Sequence, residues 1–204
     1  VFKQLLKITF LKLNFISLRT ISRMQKHLVR VIPDEEIINY VKSFKRKRIE
    51  VLEISGSRWK MLFNSDNYHS LSFPEINIEK PLNDLKQYDL VILEHVLEHI
   101  SNPKLALQNI YNILKPNGRI IIVTPFLIKI HNSPLDCTRW TKEGLKTLLF
   151  QIGFKDNNII VGQWGNRKAV VENFKKWVKF NPLKHSLKNE KEFPLAVWAF
   201  AQKS

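Results

Sequence analysis

The side chains best suited to moving a proton lie in "IHNSPLDCTRW". His131 takes up a proton near neutral pH, and a nearby carboxylate such as Asp136 raises its basicity. Arg139 can hold an acidic group through two parallel hydrogen bonds, although an Asp and an Arg three residues apart also serve simply to brace a loop. Cys137 would be a nucleophile only with a stabilised thiolate, for which Arg139 is the one visible cation, so a buried thiol is expected. A second stretch, "HVLEH", matches the H-x-x-E-H pattern of zinc peptidases through His95, Glu98 and His99. That chemistry needs a long helix, whereas an apolar run ends here and Ser-Asn-Pro soon starts a new element. A metal-dependent hydrolase is therefore the weaker reading. A metal held by His95, His99 and His131 is a minor alternative, and no metal is expected. A third stretch, "VLEISGSRWK", places Glu53 at the end of an apolar run before Ser55, Gly56 and Ser57. An acidic residue followed by small ones is how many nucleotide-binding sheets begin, and it is also how a carboxylate caps a following helix.

These groups need a scaffold. With 204 residues, 44% of them apolar, the chain can bury one substantial core. One cysteine excludes internal disulfides and cysteine-rich zinc sites, and it suits a reducing, cytoplasmic setting. The net charge of +15 is uneven: residues 1–50 hold 12 Lys and Arg against 4 Asp and Glu. Such a patch attracts phosphate, so nucleic acid and anionic lipid both stay open as partners, but it also keeps an ordinary surface soluble. Lys3, Lys7, Lys12 and Arg19 interrupt the N-terminal apolar run, so neither a spanning helix nor a secretory signal is expected there. On a helical wheel Leu18, Ile21, Met24, Leu28 and Val29 face away from Arg19, Arg23, Lys26 and Arg30. Residues 1–30 could thus make a peripheral membrane contact, or pack on a domain as any amphipathic helix does. Residues 1–16 show no clean face.

From residue 34 onward, apolar runs of strand type alternate with helical periodicity. "IPDEEIINYVKSF" predicts a helix with Pro33 in its first turn. The runs at "VLEI", "YHSLSF", "YDLVILEHV", "RIIIVTPF", "NIIVGQW" and "PLAVWAFAQ" predict strands. "RWKMLF", the stretch after Pro103, "TKEGLKTLLFQIGF" and "AVVENFKKWVKF" predict helices, with Ser101 or Asn102 and Thr141 as caps and Gly153 as a terminator. This is the pattern of a single α/β domain with a mainly parallel sheet, in which ligands bind beyond the carboxyl ends of the strands.

Taken together, "VLEISGS", "YDLVILEHVLEHI", "IYNILKPNGRIIIVTPF" and "SPLDCTRWTKEGLKTLLFQIGF" resemble, in order, the class I (Rossmann-like) S-adenosylmethionine-dependent methyltransferases. They are most similar to bacterial members found near surface-glycan genes. The resemblance spans residues 34–204, leaving 1–33 as a basic helical extension. It implies a three-layer Rossmann-like sheet of seven strands, mainly parallel with an antiparallel last strand. The cofactor would be S-adenosyl-L-methionine, with a small-molecule or glycan acceptor. It places Glu53, Ser55, Gly56, Ser57, Asn77, Glu94 and His95 at the cofactor, and His131, Asp136 and Arg139 at the acceptor. In particular, Glu53 would meet the methionine ammonium and Asn77 the adenine amine. Two departures stand out. Ser55, Ser57 and Trp59 occupy the usual glycine positions, and the acidic residue that clamps the ribose is missing. A cofactor-binding domain without catalysis, serving as a basic nucleic-acid or protein partner, is the alternative.

Overall fold

The computed structural model describes residues 18–44, 48–63 and 65–204. The sheet runs β1 (Val51–Ile54), β2 (Tyr68–Leu71), β3 (Tyr88–Glu94), β4 (Leu114–Pro125), β5 (Ile159–Trp164) and β6 (Ala196–Gln202) along the chain. In space the order is β2-β1-β3-β4-β6-β5. β1 pairs in parallel with β2 and β3, and β3 with β4, whereas β6 runs antiparallel to both β4 and β5. The order reverses between β2 and β3, on either side of β1, which is the crossover where α/β sheets open a crevice.

The helices are α1 (Leu18–Met24), α2 (Leu28–Lys42), α3 (Pro103–Asn112), α4 (Lys142–Ile152) and α5 (Arg167–Lys175). Because successive strand residues point to opposite faces, the sheet builds two cores. On one face Leu52, Val91, Leu93 and Ile122 pack with Leu107 and Ile110 of α3 and Leu145 and Leu149 of α4. On the other, Val51, Leu90, Ile92 and Ile121 pack with Leu28, Val31 and Ile37 of α2 and Val170 of α5. This is the expected three-layer α/β arrangement. The predicted caps are in place: Asn102 Oδ1 accepts from Leu105 N–H, Thr141 Oγ1 accepts from Gly144 N–H, and Gly153 ends α4 at φ +123°.

Three expectations need correction. The sheet has six strands among the described residues, not seven. The segment 72–86 buries Ile76, Ile78 and Leu82 but folds into turns, with Ile76 N–H donating to Ser72 O and Lys80 N–H to Asn77 O. Pro74 and Pro81 lack the N–H a ladder needs. Asn109 of α3 holds the segment instead, its Nδ2 donating to Ile78 O (3.0 Å) and Lys80 O (2.9 Å). Second, "RWKMLF" forms only a 3-10 turn at Lys60–Leu62. Third, the N-terminal helix is not continuous over 18–30. Leu28 N–H donates to Val178 O and Phe180 N–H to Lys26 O, and this pairing breaks the helix between Met24 and Leu28. α2 then starts at Leu28, with Pro33 inside it, so the division expected at residue 33 falls within one helix. Leu28 and Val29 are core residues, whereas Ile21 and Met24 are exposed. Residues 1–16 lie outside the described residues.

Asn109→Ala should remove about 1–3 kcal/mol of stability, because one buried and one part-buried carbonyl lose their donor. Urea unfolding measures the loss, and limited proteolysis should show new cleavage within 72–86. Unchanged stability would mean that the turns hold themselves.

Candidate functional site

Three strand tips meet at the crossover. β1 ends at Ile54 and turns through Ser55, whose φ is +60°, and β3 ends at Glu94 and turns through His95 at φ +56°. Neither residue is glycine, so both turns carry backbone strain, which persists where surroundings over-determine it and concentrates at functional sites. Gly56 does not take a positive φ. A side chain is excluded there because a Cβ would sit 2.6 Å from Glu53 Oε1. The Glu53 carboxylate is buried and folded back under its own loop. It accepts from Arg58 N–H and Trp59 N–H, both at 3.1 Å, and from the Tyr68 hydroxyl. The three donors fix the shape of loop 55–59 and leave the Ser55 and Ser57 side chains exposed at its rim.

Above this loop lies a network of charges that single-sequence reading did not find. Arg58 reaches Asp34 on α2 through both terminal nitrogens (2.8 and 2.5 Å) and Glu94 Oε1 at 2.6 Å. Arg30 of α2 donates to the same Glu94 oxygen, and Trp59 Nε1 donates to its other oxygen at 2.9 Å. Lys26 Nζ stands 2.6 Å from Asp34. Burial opposes the Glu94 charge, but Arg30 and Arg58 outweigh it and hold the carboxyl below its usual range. Of these residues the sequence points to Glu94 as a site residue, to Arg30 only as part of a basic helix face and to Trp59 only as a replaced glycine, and it gives no sign of Asp34 or Arg58. Arg23, Lys26 and Arg30, expected on a free basic face, are each paired with an acidic residue.

The loop after β4 closes the site. Cys137 N–H and Thr138 N–H donate to Glu98 O (2.7 and 3.2 Å), and Thr138 Oγ1 donates to Leu97 O at 3.1 Å. The loop is thereby clamped onto the 3-10 turn Leu97–His99. Asp136 and Arg139 pair through both ends, with Arg139 Nη2 donating to Asp136 Oδ2 at 2.6 Å, and Asp136 Oδ2 also accepts from His131 N–H at 2.8 Å. The Arg139 guanidinium holds the Asp136 carboxyl low. The pair braces the loop, and it meets His131 through the backbone. The His131 ring turns instead toward Glu98 and His99. Burial pushes its imidazole down, despite Glu98 and Asp136. Cys137 is exposed, contrary to expectation. "HVLEH" follows the end of β3 as a turn at His95 and a 3-10 turn at Leu97–His99, which removes the helical geometry of a zinc peptidase. Asn77 Oδ1 accepts from Glu79 N–H at 3.0 Å within its own turn. A groove of about 260 Å³, lined by Phe126, Ile128, Ile130, Arg139 and Phe174, opens beside the loop.

The family described as "Methyltransferase domain" matches residues 21–156. Among solved structures, the chain is similar to a SAM-dependent methyltransferase from Archaeoglobus fulgidus (TM-score 0.53, 17% identity, 85% of this chain and 94% of that one). It is also similar to one from Thermotoga maritima (TM-score 0.52, 14% identity, 86% and 98%). At these identities the likeness is one of fold. Among curated proteins, "Probable polyketide synthase 26" of Dictyostelium discoideum is 39% identical over 67 residues, 32% of this chain. The chain spans about 3% of that protein's length.

Arg58→Met should cost about 1–3 kcal/mol, since the buried Asp34 and Glu94 lose a shared, partly exposed guanidinium but keep Lys26 and Arg30. Glu94 has a lower pKa folded than unfolded. Its contribution is therefore complete above the ordinary carboxylate range and disappears as pH falls through the depressed value. Glu94→Gln should accordingly flatten the acid side of a stability-versus-pH curve below about pH 4. An unaltered acid limb would show that Glu94 is not what titrates.

Proposed function

The chain belongs to the methyltransferase-domain family, and on that premise we propose that it transfers a methyl group from S-adenosylmethionine to a small-molecule or glycan acceptor. The observation that carries this reading is the pair of left-handed, non-glycine turns, Ser55 and His95, at the tips of the adjacent parallel strands β1 and β3. Two strained turns side by side at the crossover suit a crevice built for a nucleoside-containing ligand.

The residues present fit the two ends of that cofactor. Its aminoacyl end is a zwitterion, and Glu94 beside Arg30 and Arg58 offers both complementary charges. Glu94 would take the ammonium and the guanidiniums the carboxylate, each exchanging one internal partner for the ligand. Glu53, whose oxygens are engaged by loop 55–59, acts as a positioning residue. The exposed hydroxyls of Ser55 and Ser57 stand at the rim where glycines usually stand. The adenosine end falls to the tip of β2 and the segment 72–77, where Asn77 and Ser72 offer polar atoms.

Bound S-adenosylmethionine would supply an electrophilic methyl group on a sulfonium, and the protein's task is largely alignment of the acceptor. A hydroxyl acceptor must also lose a proton. His95 is placed to receive it: it follows β3 directly, its Nε2 is buried without a partner, and its Nδ1 faces Glu98 at 3.3 Å. Asp136 and Arg139 keep the acceptor-side loop in position.

Calorimetry with S-adenosylhomocysteine tests the reading. The chain should bind it, and Arg30→Ala should weaken binding about tenfold, equivalent to one charge-assisted contact of roughly 1.4 kcal/mol. Absence of binding by the folded chain would overturn the proposal, and binding unchanged by Arg30→Ala would remove Arg30 from it. Firm binding with no methyl transfer to any hydroxylated acceptor would favour a cofactor-binding module without catalysis.

A further inference from the structure

We propose that Glu98, His99 and His131 form a binding site for a divalent transition-metal ion. Glu98 is fully buried, and its Oε1 makes no hydrogen bond of good geometry, with His95 Nδ1 3.3 Å away as its nearest polar neighbour. His99 Nε2 lies 3.8 Å from that oxygen and His131 Nε2 3.9 Å, and all three atoms fall within 4.8 Å of one another. The Nε2 of His131 also lacks a partner. These separations are too long for hydrogen bonds. They are close to the roughly 3.4 Å between two ligand atoms that each bind one tetrahedral ion at about 2.1 Å. His99 Nε2 and Glu98 Oε1 each present a lone pair to the same point, His131 Nε2 converges on it, and a cation there would satisfy them together.

The surroundings point the same way. His99 Nδ1 donates to Leu135 O, which fixes the tautomer with Nε2 unprotonated and facing Glu98. A backbone carbonyl holding the far nitrogen is the usual support of a metal-bound histidine. Thr124 Oγ1, also buried, lies 3.4 Å from Glu98 Oε2 and steadies the carboxylate from behind. The clamp between Cys137, Thr138 and the Glu98 carbonyl fixes His131's loop against the other two ligands. The His99 and His131 side chains each keep 17% exposure, so an ion has a route in and a coordination position open to an outside oxygen. Two imidazoles with one carboxylate suit Zn²⁺, Mn²⁺ or Fe²⁺ better than Mg²⁺ or Ca²⁺, which prefer oxygen throughout. His95 Nδ1, at 3.3 Å from the same Glu98 oxygen, adjoins the site. The proposal shares Glu98 with the role given to His95, but it is read by metal binding alone, so its failure is distinguishable from failure of cofactor binding.

The test uses the untagged full chain, stripped with a chelator, and titrated with Zn²⁺ or Mn²⁺ in a calorimeter. One ion should bind per chain with micromolar or tighter affinity, and Co²⁺ in its place should give visible absorption from a low-coordinate site. His131→Ala and Glu98→Gln should each weaken binding at least tenfold, whereas His69→Ala, on β2, should leave it unchanged. If Glu98→Gln does not fold, the half-buried His131→Ala still decides. No stoichiometric binding by the folded chain, or equal affinity in wild type and His131→Ala, overturns the proposal.

Discussion

Arg58 ties this structure together. Its guanidinium joins Asp34 on α2 to Glu94 at the end of β3, and its own backbone N–H is held by Glu53 at the end of β1. Three elements from separate parts of the chain thus meet on one residue. Asp34 is fully buried and Glu94 nearly so, which makes the arrangement costly to break. A buried carboxylate keeps its charge only beside a partner, so a shift of α2 on the sheet would part Asp34 from Arg58 and leave it Lys26 alone. The charges that fix the helix lie at the carboxyl ends of β1 and β3, the same end at which the proposed cofactor would sit.

This placement bears on function. The carboxylates here are already desolvated and paired in direct contact, so a zwitterionic ligand, if bound as proposed, would replace one pairing by another rather than create a new one. The loop after β4 has a similar economy. Asp136 and Arg139 satisfy each other and the His131 backbone, freeing the His131 ring to face Glu98 and His99. Of the side chains read as base, neighbouring carboxylate and anchor, Asp136 and Arg139 pair with each other, and the His131 ring lies beside His99 and Glu98.

The strands were legible because burial on both faces demands long apolar runs. Tyr88–Glu94 and Ala196–Gln202 stand out in the sequence, and so do the caps Asn102 and Thr141, whose chemistry is local. The edge of the sheet was less legible. Ile76 and Ile78 alternate as a strand would, and only the carbonyls held by Asn109, some thirty residues away, show why the segment stays in turns. The charge network was hidden for the same reason: Arg30, Asp34, Arg58 and Glu94 are each ordinary in their own windows. Glu53 stands at the strand tip as expected, but the carboxylate assigned to the methionine ammonium accepts from Arg58 N–H, Trp59 N–H and the Tyr68 hydroxyl. The break in the N-terminal helix depends on residues 178–180, which no helical wheel of 18–30 can reveal.

A crystal structure with S-adenosylhomocysteine tests the central claim most directly. The account expects its aminoacyl end against Arg30, Arg58 and Glu94, and its sulfur between loop 55–59 and His95. A ligand bound at the opposite edge, near Pro116 and Asn117, or a crevice in which the Arg58 contacts leave it no room, would contradict it.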